Sequence, residues 1–451
     1  MKDARESIMT LINESPIPLI SIRDALSNMN IIDIGDIFDD LSKEQTLQVF
    51  RTLPKNIAAN VFAHINPEKQ KIIIEALTGP EAGTIIDGLF MDDAVDFIEE
   101  MPANVVTKVL SHVTPERRAT INQLLQYPED SLGSIMTTEF MAFGEDLTVM
   151  EAFEQMRKTR VHGLHTCYVV RRDKMLVGYI SLKTLLLARE HERIGDLTRR
   201  QVISAQTQDD QEKAAALFGK YDLLSLPIVD SENRLVGIIT VDDVVEIVEE
   251  EATEDFELMA GIMPMHDDDP YLKTGVFKQS IQRIGWLMIL MFAAIITETI
   301  LTGFEDAMAV IPALMPFIPM LMDTGGNAGV QTSSLVIRSM ALDEIALKDV
   351  FTAWWQEIRI ALLCGLGLSV GNAIRVAITG PRDALLTLVV SLTLMGVVLL
   401  AKSMGCLLPM AAKKLRVDPA VMAAPIIKTL LDVGSLFMYF SIARLILPGL
   451  R

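Results

Sequence analysis

The stretch that decides the fold is MAVIPALMPFIPMLMDTGGNAGVQTSSLV, residues 308–336, an apolar segment whose second half is interrupted by glycines and polar residues. About 20 apolar residues cross the hydrocarbon core of a bilayer, and four other segments are comparably long and apolar. The predicted spans are Ile284 to Gly303, Met308 to Val336, Ile358 to Ile378, Ala384 to Ala411 and Val421 to Pro448. Residues 283–451 are therefore predicted to form an all-α membrane domain of five helices.

The polar run DTGGNAGVQTSS, residues 323–334, is expected to break the second span. Unwound backbone at membrane depth is tolerated only where it is buried in protein or lines a wet cavity. Glycine would let carbonyls approach a hydrated ion, and Asn and Gln would add amide oxygens. The same glycines would also suit close packing of two helices, so both interpretations stay open. The candidate ion-pathway residues are Gly325, Gly326, Asn327, Gly329 and Gln331.

An acid, Asp432, lies well inside the fifth span. An ionisable residue at that depth is costly and is a functional candidate by default. Lys428 lies four residues earlier, on the same helical face, so a purely structural Lys428–Asp432 ion pair is the alternative. The sequence assigns no role to two further charges in the spans, Glu298 and Lys402.

The distribution of basic residues orients the membrane domain. With the amino terminus inside, nine lysines and arginines fall on inner loops and four fall outside, which agrees with the positive-inside rule. The carboxy terminus is then extracytoplasmic. The first residues, MKDARESIMTLINE, lack the apolar core of a secretory signal. The chain is thus predicted to be a multi-pass protein of the cell membrane, in contact with lipid, with a cytoplasmic amino-terminal half.

The first 270 residues are strongly acidic, with 25 Lys and Arg against 48 Asp and Glu, a formal charge of −23. Such a surface repels nucleic acid, which is excluded as a partner, and concentrates cations. The three cysteines have none of the spacings of zinc or redox sites. The chain shows no nucleophile with a base, no phosphate-binding loop and no pair of histidines at metal spacing, so an enzyme is not expected.

Prolines recur every thirteen residues in two trios between residues 50 and 130, which indicates an internal repeat. Proline is favoured at the first helical position and acids are favoured in the first turn. The Pro-Glu pairs predict helices beginning at Pro67, Pro80, Pro115 and Pro128. Helices this short bury one face only against neighbouring repeats, so residues 1–130 are predicted to form an α-helical, superhelical amino-terminal domain.

Residues 131–252 contain a second repeat, of α/β type. YVVRRDKMLVGYISLKTLL, residues 168–186, and PIVDSENRLVGIITVDDVV, residues 227–245, share a frame of strand, turn, strand and helix. This frame resembles a tandem of cystathionine-β-synthase-type (CBS) modules. The resemblance implies an adenine nucleotide such as ATP, with Thr240 and Asp243 as the candidate ribose contacts; the first repeat has Ser181 and Thr184 instead. Modules that pair without binding nucleotide are the alternative.

An acid-rich connector follows the second module and is predicted to continue as a connecting, or plug, helix over residues 253–282. Like charges three or four residues apart on a helix repel, so the segment is destabilised unless something neutralises it. A solvated linker is the alternative. Its acids are Glu246, Glu249, Glu250, Glu251, Glu254, Asp255, Glu257, Asp267, Asp268 and Asp269.

This order of domains, together with P-x-x-x-D-T-G-G-N-A-G-V-Q from Pro319 and D-P-A-x(11)-D-V-G from Asp418, resembles the MgtE family of magnesium transporters. The resemblance covers nearly the whole chain. It implies a homodimer whose pore runs between the second and fifth spans, with Asp432 holding hydrated Mg²⁺ and Asp418 contacting the ion. It also implies regulatory Mg²⁺ bound by cytoplasmic carboxylates, namely Asp92, Asp93, Asp96, Asp243, Glu251, Glu254 and Asp255.

From these residues we expect a divalent cation channel selective for Mg²⁺ and closed when Mg²⁺ neutralises the cytoplasmic carboxylates. Lys428 departs from the family pattern. A cation one turn from Asp432 weakens a cation site unless its side chain points away. Two alternatives remain: a broader divalent transporter that also passes Co²⁺, Mn²⁺ or Ni²⁺, and a non-transporting membrane receptor for adenine nucleotides.

Overall fold

The structure, a computed structural model, describes residues 2–12, 18–128, 130–159, 161, 165–264, 271, 272, 274–342, 344–379, 383–422 and 424–450. The chain forms two compact units, Met1–Val248 and Glu249–Arg451.

The first unit begins with a stack of short helices. Many have local start signals: the Asn30 and Asn66 side chains accept hydrogen bonds from the backbone N–H groups of Ile32 and Glu68, as helix-capping residues do. The helices are α1 (Lys2–Ile12), α2 (Leu19–Leu26), α3 (Ile31–Asp39), α4 (Lys43–Thr52), α5 (Ala58–Ala63), α6 (Pro67–Ala76), α7 (Gly79–Gly88), α8 (Met91–Glu100), α9 (Ala103–Leu110) and α10 (Pro115–Leu124).

One continuous core holds these helices together. Phe38, Phe50, Phe62 and Phe97 form a chain of edge-to-face pairs, with ring centroids 6.3, 6.1 and 5.3 Å apart. Isolated helices of about ten residues are marginal in water, so burial against successive neighbours stabilises the stack.

The α/β part contains two three-stranded sheets with the strand orders β1-β2-β3 and β4-β5-β6. In each sheet the first pair of strands is parallel and the second pair is antiparallel. The strands are β1 (Ala142–Gly144), β2 (Thr166–Val170), β3 (Leu176–Ser181), β4 (Ala205–Gln206), β5 (Ser225–Val229) and β6 (Leu235–Thr240), and the helices are α11 (Val149–Lys158), α12 (Leu182–Leu187), α13 (Ile194–Leu197), α14 (Gln211–Tyr221) and α15 (Val241–Ala260).

The two α/β repeats pair through equivalent positions. Leu176 donates its backbone N–H to the carbonyl of Asn233, and Leu235 donates to the carbonyl of Lys174, both at 3.0 Å. Lys174 and Asn233 occupy the same turn position and both have positive φ, 66° and 62°. The predicted tandem CBS fold is confirmed, and the core of the helical stack continues into the second module through residues such as Phe218 and Val244.

The second unit is helical. Its helices are α16 (Val276–Gly303), α17 (Glu305–Val310), α18 (Ile318–Ala341), α19 (Val350–Thr379), α20 (Ala384–Lys414) and α21 (Ala424–Ile446), with 3₁₀ turns at Pro312–Phe317, Leu347–Asp349, Pro419–Met422 and Pro448–Leu450. Buried residues of α18, α20 and α21 form its core, whereas α16 has no buried residue among those described.

Four helical segments of the described residues are long and apolar enough to cross a membrane: Val276–Gly303, Leu347–Ile378, Ala384–Lys414 and Pro419–Ile446. The predicted span 308–336 instead comprises the end of α17, a 3₁₀ turn and most of α18, because Pro312 begins the 3₁₀ turn and Pro319 lies in the first turn of α18. Helix α18 carries the polar run, which lowers its hydropathy, and completes the set of five long helices.

Three expectations about local structure are wrong. The run 323–334 is not unwound but lies within the continuous helix α18. The acidic helix α15 ends at Ala260, and α16 begins at Val276, so residues 253–282 are not one helix; Asp267, Asp268 and Asp269 lie outside the described residues. No described helix begins at Pro128, because Ser131 bridges to Asp210 instead.

Candidate functional site

A polar stripe runs along α18 in the second unit. Asp323, Asn327 and Gln331 follow one another at intervals of four residues, so they share one helical face, and all three are exposed. The Asn327 amide Nδ2 donates to Asp323 Oδ2 at 3.1 Å. The stripe therefore presents carboxylate and amide oxygens, which are ligands suited to a hydrated hard cation.

The glycines of α18 lie against neighbouring helices. A Cβ at Gly325 would come within 2.8 Å of Ser435 Oγ, and one at Gly329 within 2.3 Å of Leu431 Cδ1. This is the helix-packing role that the sequence left open. The expected unwound backbone is absent from this described helix, and the assignment of Gly325, Gly326 and Gly329 to an ion pathway stays a prediction.

Asp432 lies half-buried on α21. Its Oδ1 is buried and has no hydrogen-bond partner. It interacts electrostatically with Lys428 and with Asp323 of α18, but no ion pair within 4.0 Å joins it to Lys428 in the described part of the chain. The geometry does not support the structural Lys428–Asp432 pair, and it leaves Asp432 with an unsatisfied acceptor.

Asp418 precedes the 3₁₀ turn Pro419–Met422 and is exposed. Its Oδ1 accepts the backbone N–H of Ala420 at 2.7 Å, so one oxygen holds the turn. An ion contact by Asp418 remains a prediction, as does one by Glu251, Glu254 and Asp255, which lie on α15.

A buried polar cluster that the sequence did not reveal joins three membrane helices. Lys402 Nζ of α20 donates to Thr332 Oγ1 of α18 at 3.1 Å and lies 3.5 Å from Glu357 Oε2 of α19. The Thr332 hydroxyl donates to the same Glu357 oxygen at 3.0 Å. Lys402, which had no assignable role, therefore belongs to a Thr332–Glu357–Lys402 cluster. The sequence signal was a lysine inside the fourth predicted span and an acid, Glu357, directly before the third.

A second candidate site lies in the first unit, where α8 and the start of α15 bring four acids together. Burial raises the pKa of Asp92 to about 8, and repulsion by Asp93, Asp243 and Asp96 adds to the rise. Burial likewise raises the pKa of Asp93, although His64 opposes the rise, and that of Asp243, although hydrogen bonds from Thr240 oppose it. Oδ1 of Asp92 is buried without a partner.

Asp96 differs from the other acids because it is exposed. Surrounding protein and repulsion by Asp93 raise its pKa, and solvent moderates that rise. The four acids thus repel one another in the absence of a cation, and an orphaned carboxylate oxygen fits the preference of Mg²⁺ for oxygen ligands. Within the described ranges no three acidic, His or Cys side chains converge closely enough to hold a metal ion.

The nucleotide candidates have local structural roles. Thr240 donates its hydroxyl to Asp243 Oδ2 at 2.6 Å and its backbone N–H to the same oxygen at 3.0 Å. In the first module the Ser181 and Thr184 hydroxyls lie 2.8 Å apart. Each pair lies where a strand, β3 or β6, ends and the next helix, α12 or α15, begins, and nucleotide binding remains a prediction.

Comparison with known proteins identifies the family. Residues 318–442 match the MgtE family model, described as a divalent cation transporter; residues 29–130 match its intracellular N domain, and 132–191 and 194–250 match CBS domains. The magnesium transporter MgtE of Thermus thermophilus is 35% identical over 95% of this chain and 96% of its own. This chain belongs to the MgtE family.

A second MgtE, from Bacillus subtilis, is 35% identical over 72% of this chain and 71% of its own. This chain is also similar to the crystal structure of the soluble part of a magnesium transporter. The match covers 56% of this chain and 99% of the solved chain, with 26% identity and a TM-score of 0.52. As an MgtE-family member, the chain is a multi-pass membrane protein of a transporter family, with the predicted helical, CBS and membrane parts.

Proposed function

We propose that this protein is a homodimeric Mg²⁺ channel of the cell membrane whose amino-terminal half is cytoplasmic and whose pore is lined by α18 and α21. The proposal assigns ion contacts to the stripe Asp323–Asn327–Gln331, to Asp432 and to Asp418. One observation carries it: the buried Oδ1 of Asp432 lacks any hydrogen-bond partner and any ion pair with Lys428.

The chemistry of the ion supports this assignment. Mg²⁺ gives up its water reluctantly, so a pore for it binds the hydrated ion through oxygens. A buried carboxylate without a partner costs free energy that a cation recovers, and an intramembrane acid marks an ion path by default. The three relatives named above are described as magnesium transporters.

The pore is tested by Mg²⁺ flux into proteoliposomes that contain the full chain. We expect Asp432→Asn to reduce flux by at least about tenfold, because the variant retains size and loses charge. Asp383→Asn is the matched control: Asp383 caps the start of α20 by accepting the N–H groups of Leu385 and Leu386 and is not assigned to the ion pathway. Mg²⁺ flux through Asp432→Asn at the wild-type rate would refute the assignment of Asp432 to the pore.

We propose further that Mg²⁺ regulates the channel through the acids Asp92, Asp93, Asp96 and Asp243, with Glu251, Glu254 and Asp255 of α15 contributing. Without cation the acids repel; with cation the closed arrangement of the cytoplasmic half becomes favourable. A ligand shifts an equilibrium only through its differential affinity, and moving a population from 1:99 to 99:1 requires about 5.5 kcal/mol. Several weak carboxylate sites acting together supply such a difference.

The regulatory proposal is tested by limited proteolysis of the full chain across a Mg²⁺ titration. Cleavage between residues 130 and 270 should slow as Mg²⁺ rises in the wild type, and Asp92→Asn/Asp93→Asn should weaken this protection. Asp146→Asn, in an exposed position of the first CBS module, should leave it unchanged. Cleavage that is independent of Mg²⁺ would refute the regulatory proposal.

Two narrower questions accompany the proposal. Competition of Co²⁺, Mn²⁺ and Ni²⁺ with Mg²⁺ uptake separates a selective channel from a broader divalent transporter.

Adenine nucleotide binding at Thr240 and Asp243 is tested by equilibrium binding of ATP to the full chain and to Asp243→Asn. Normal ATP binding in a protein that passes no ion would favour the non-transporting receptor.

A further inference from the structure

Lys428 crosses from its own helix, α21, to α18. A Cβ built at Gly326 would lie 3.1 Å from Lys428 Cγ and 3.5 Å from both Cδ and Cε. The aliphatic stem of the lysine therefore lies over Gly326, and a larger residue there would displace it. Helix packing against α20 does not account for the glycine at position 326. The atoms that lie over Gly326 belong instead to the flexible, cationic side chain of Lys428.

The Lys428 side chain meets α18 within the segment that carries the polar stripe. Gly326 lies between Asp323 and Asn327 on α18, and Asp432 follows Lys428 by one turn on α21. Lys428 is exposed, and its charge acts on Asp432. Asp432 is thus subject to two charges, the cation of Lys428 on its own helix and the carboxylate of Asp323 on α18.

The ammonium is not committed to a structural partner. Throughout the described residues Lys428 forms no ion pair within 4.0 Å and no hydrogen bond, whereas Lys402 of the same unit pairs with Glu357 and Thr332. A lysine that served packing alone would be expected to satisfy its charge as Lys402 does, because an unpaired charge at membrane depth is costly.

We propose that Lys428 is an affinity-setting residue of the ion pathway: its ammonium is a tethered cation that competes with Mg²⁺ for the field of Asp432 and Asp323. This inference rests on the proposed Mg²⁺ pathway. A divalent ion is repelled twice as strongly as a monovalent one by the same fixed charge, so Lys428 lowers the affinity of the site for divalent cations most. The chain then requires more Mg²⁺ for half-maximal transport than it would with a neutral residue at position 428.

The test compares the initial rate of Mg²⁺ entry into Mg²⁺-free proteoliposomes for the full chain and three variants. Lys428→Met keeps the aliphatic stem over Gly326 and removes the charge; its half-saturating Mg²⁺ concentration should fall by about tenfold or more. Lys428→Arg keeps the charge and should stay near the wild type. Lys348→Met removes an equal charge from the exposed turn before α19 and should also match the wild type.

The outcomes separate this inference from the proposed function. Flux that requires Asp432 but has the same half-saturating concentration in the wild type and Lys428→Met overturns the role of Lys428 and leaves the channel intact. Absence of Mg²⁺ flux from the folded wild type refutes the proposed function itself. Lys428→Gln is a second neutral variant, and elution of each protein as a single symmetric species in size exclusion controls for folding.

Discussion

At the scale of single residues, Gly405 of α20 lies at a close approach of α20 to α18. A Cβ at this position would lie 2.5 Å from the backbone carbonyl oxygen of Gly329 on α18 and 3.2 Å from the backbone nitrogen of Ser333. Backbone atoms cannot rotate away, so the helices must separate to admit a methyl group. We predict that Gly405→Ala lowers the free energy of unfolding by about 1–3 kcal/mol, measured by denaturant titration in detergent.

A matched glycine supplies the control for that prediction. A Cβ at Gly367 of α19 meets nothing within 4 Å, so Gly367→Ala should be neutral or slightly stabilising, since alanine is favoured over glycine in a helix by about 1 kcal/mol. Equal destabilisation by the two substitutions would show that the Gly405–Gly329 contact does not hold the helices together.

The sequence indicated which residues of the membrane domain to examine, but not the conformation that presents them. Asp432, Asn327 and Gln331 were found because polar groups are conspicuous in an apolar span. The glycines suggested unwinding because each costs about 1 kcal/mol in a helix. Packing against Ile427, Leu431 and Val397 outweighs that cost, and no pattern within one span reveals what a distant helix will contribute.

At the scale of helices, the Thr332–Glu357–Lys402 cluster ties α18 to α19 and α20. The side chains of Lys402 and Glu357 are only 9% and 14% exposed, so removal of one charge leaves the other buried and unpaired. We predict that Lys402→Met lowers the free energy of unfolding by about 3 kcal/mol or more, and that Lys402→Met/Glu357→Gln recovers most of the loss. The measurement is the same denaturant titration, arranged as a double-mutant cycle.

Lys414, exposed at the end of α20, provides the comparison: Lys414→Met should change stability by less than about 0.5 kcal/mol. Additive losses in the double variant would mean that Lys402 and Glu357 act independently.

Element boundaries were predictable where local chemistry determines them. Pro67, Pro80 and Pro115 lie in the first turn of α6, α7 and α10, as predicted, and the two strand-turn-strand frames gave β2-β3 and β5-β6. The helix predicted to begin at Pro128 is not found among the described residues, because Ser131 pairs with Asp210, some 80 residues onward. The sequence equally could not predict the partner of Lys402, since Glu357 lies on another helix.

At the scale of the whole molecule, Arg117 joins the helical stack to the α/β modules of the first unit. Its Nη1 lies 3.1 Å from Glu139 Oε1, and its Nη2 donates to the carbonyl oxygens of Leu89 and Phe90, just before the acidic helix α8. We predict that Arg117→Met costs about 2 kcal/mol of stability and accelerates proteolysis between residues 125 and 140.

The neighbouring residue is a suitable control for the Arg117 prediction. Arg118 donates a local hydrogen bond to the carbonyl of Val113, so Arg118→Met should leave the cleavage rate between residues 125 and 140 near that of the wild type. Equal acceleration by the two substitutions would indicate general loosening of α10 rather than loss of the Arg117 link.

The acids of α8 also make the first unit sensitive to pH. Because burial raises the folded-state pKa of Asp92 to about 8, above an ordinary value near 4, the folded protein binds more protons than the unfolded chain between these two values. Stability therefore falls as pH rises from about 4 to about 8, and the full penalty is present above pH 8. Below pH 4 Asp92 is protonated in both the folded and the unfolded state, so its pKa shift contributes nothing to the pH dependence of stability. Mg²⁺ neutralises the same charges, and its presence should flatten the dependence.

We predict that the thermal midpoint of the full chain, measured without Mg²⁺, falls between pH 5.5 and 8.5, and that saturating Mg²⁺ or Asp92→Asn reduces this fall. Asp146→Asn should retain it, since Asp146 is 78% exposed in the first CBS module. A midpoint that rises with pH would mean that Asp92 is neutralised by an ordered partner rather than by protons, and a fall that persists in Asp92→Asn would assign it to other groups. Protons and Mg²⁺ compete for the same carboxylates, so the Mg²⁺ concentration that half-saturates protection from proteolysis should be higher at pH 6 than at pH 8.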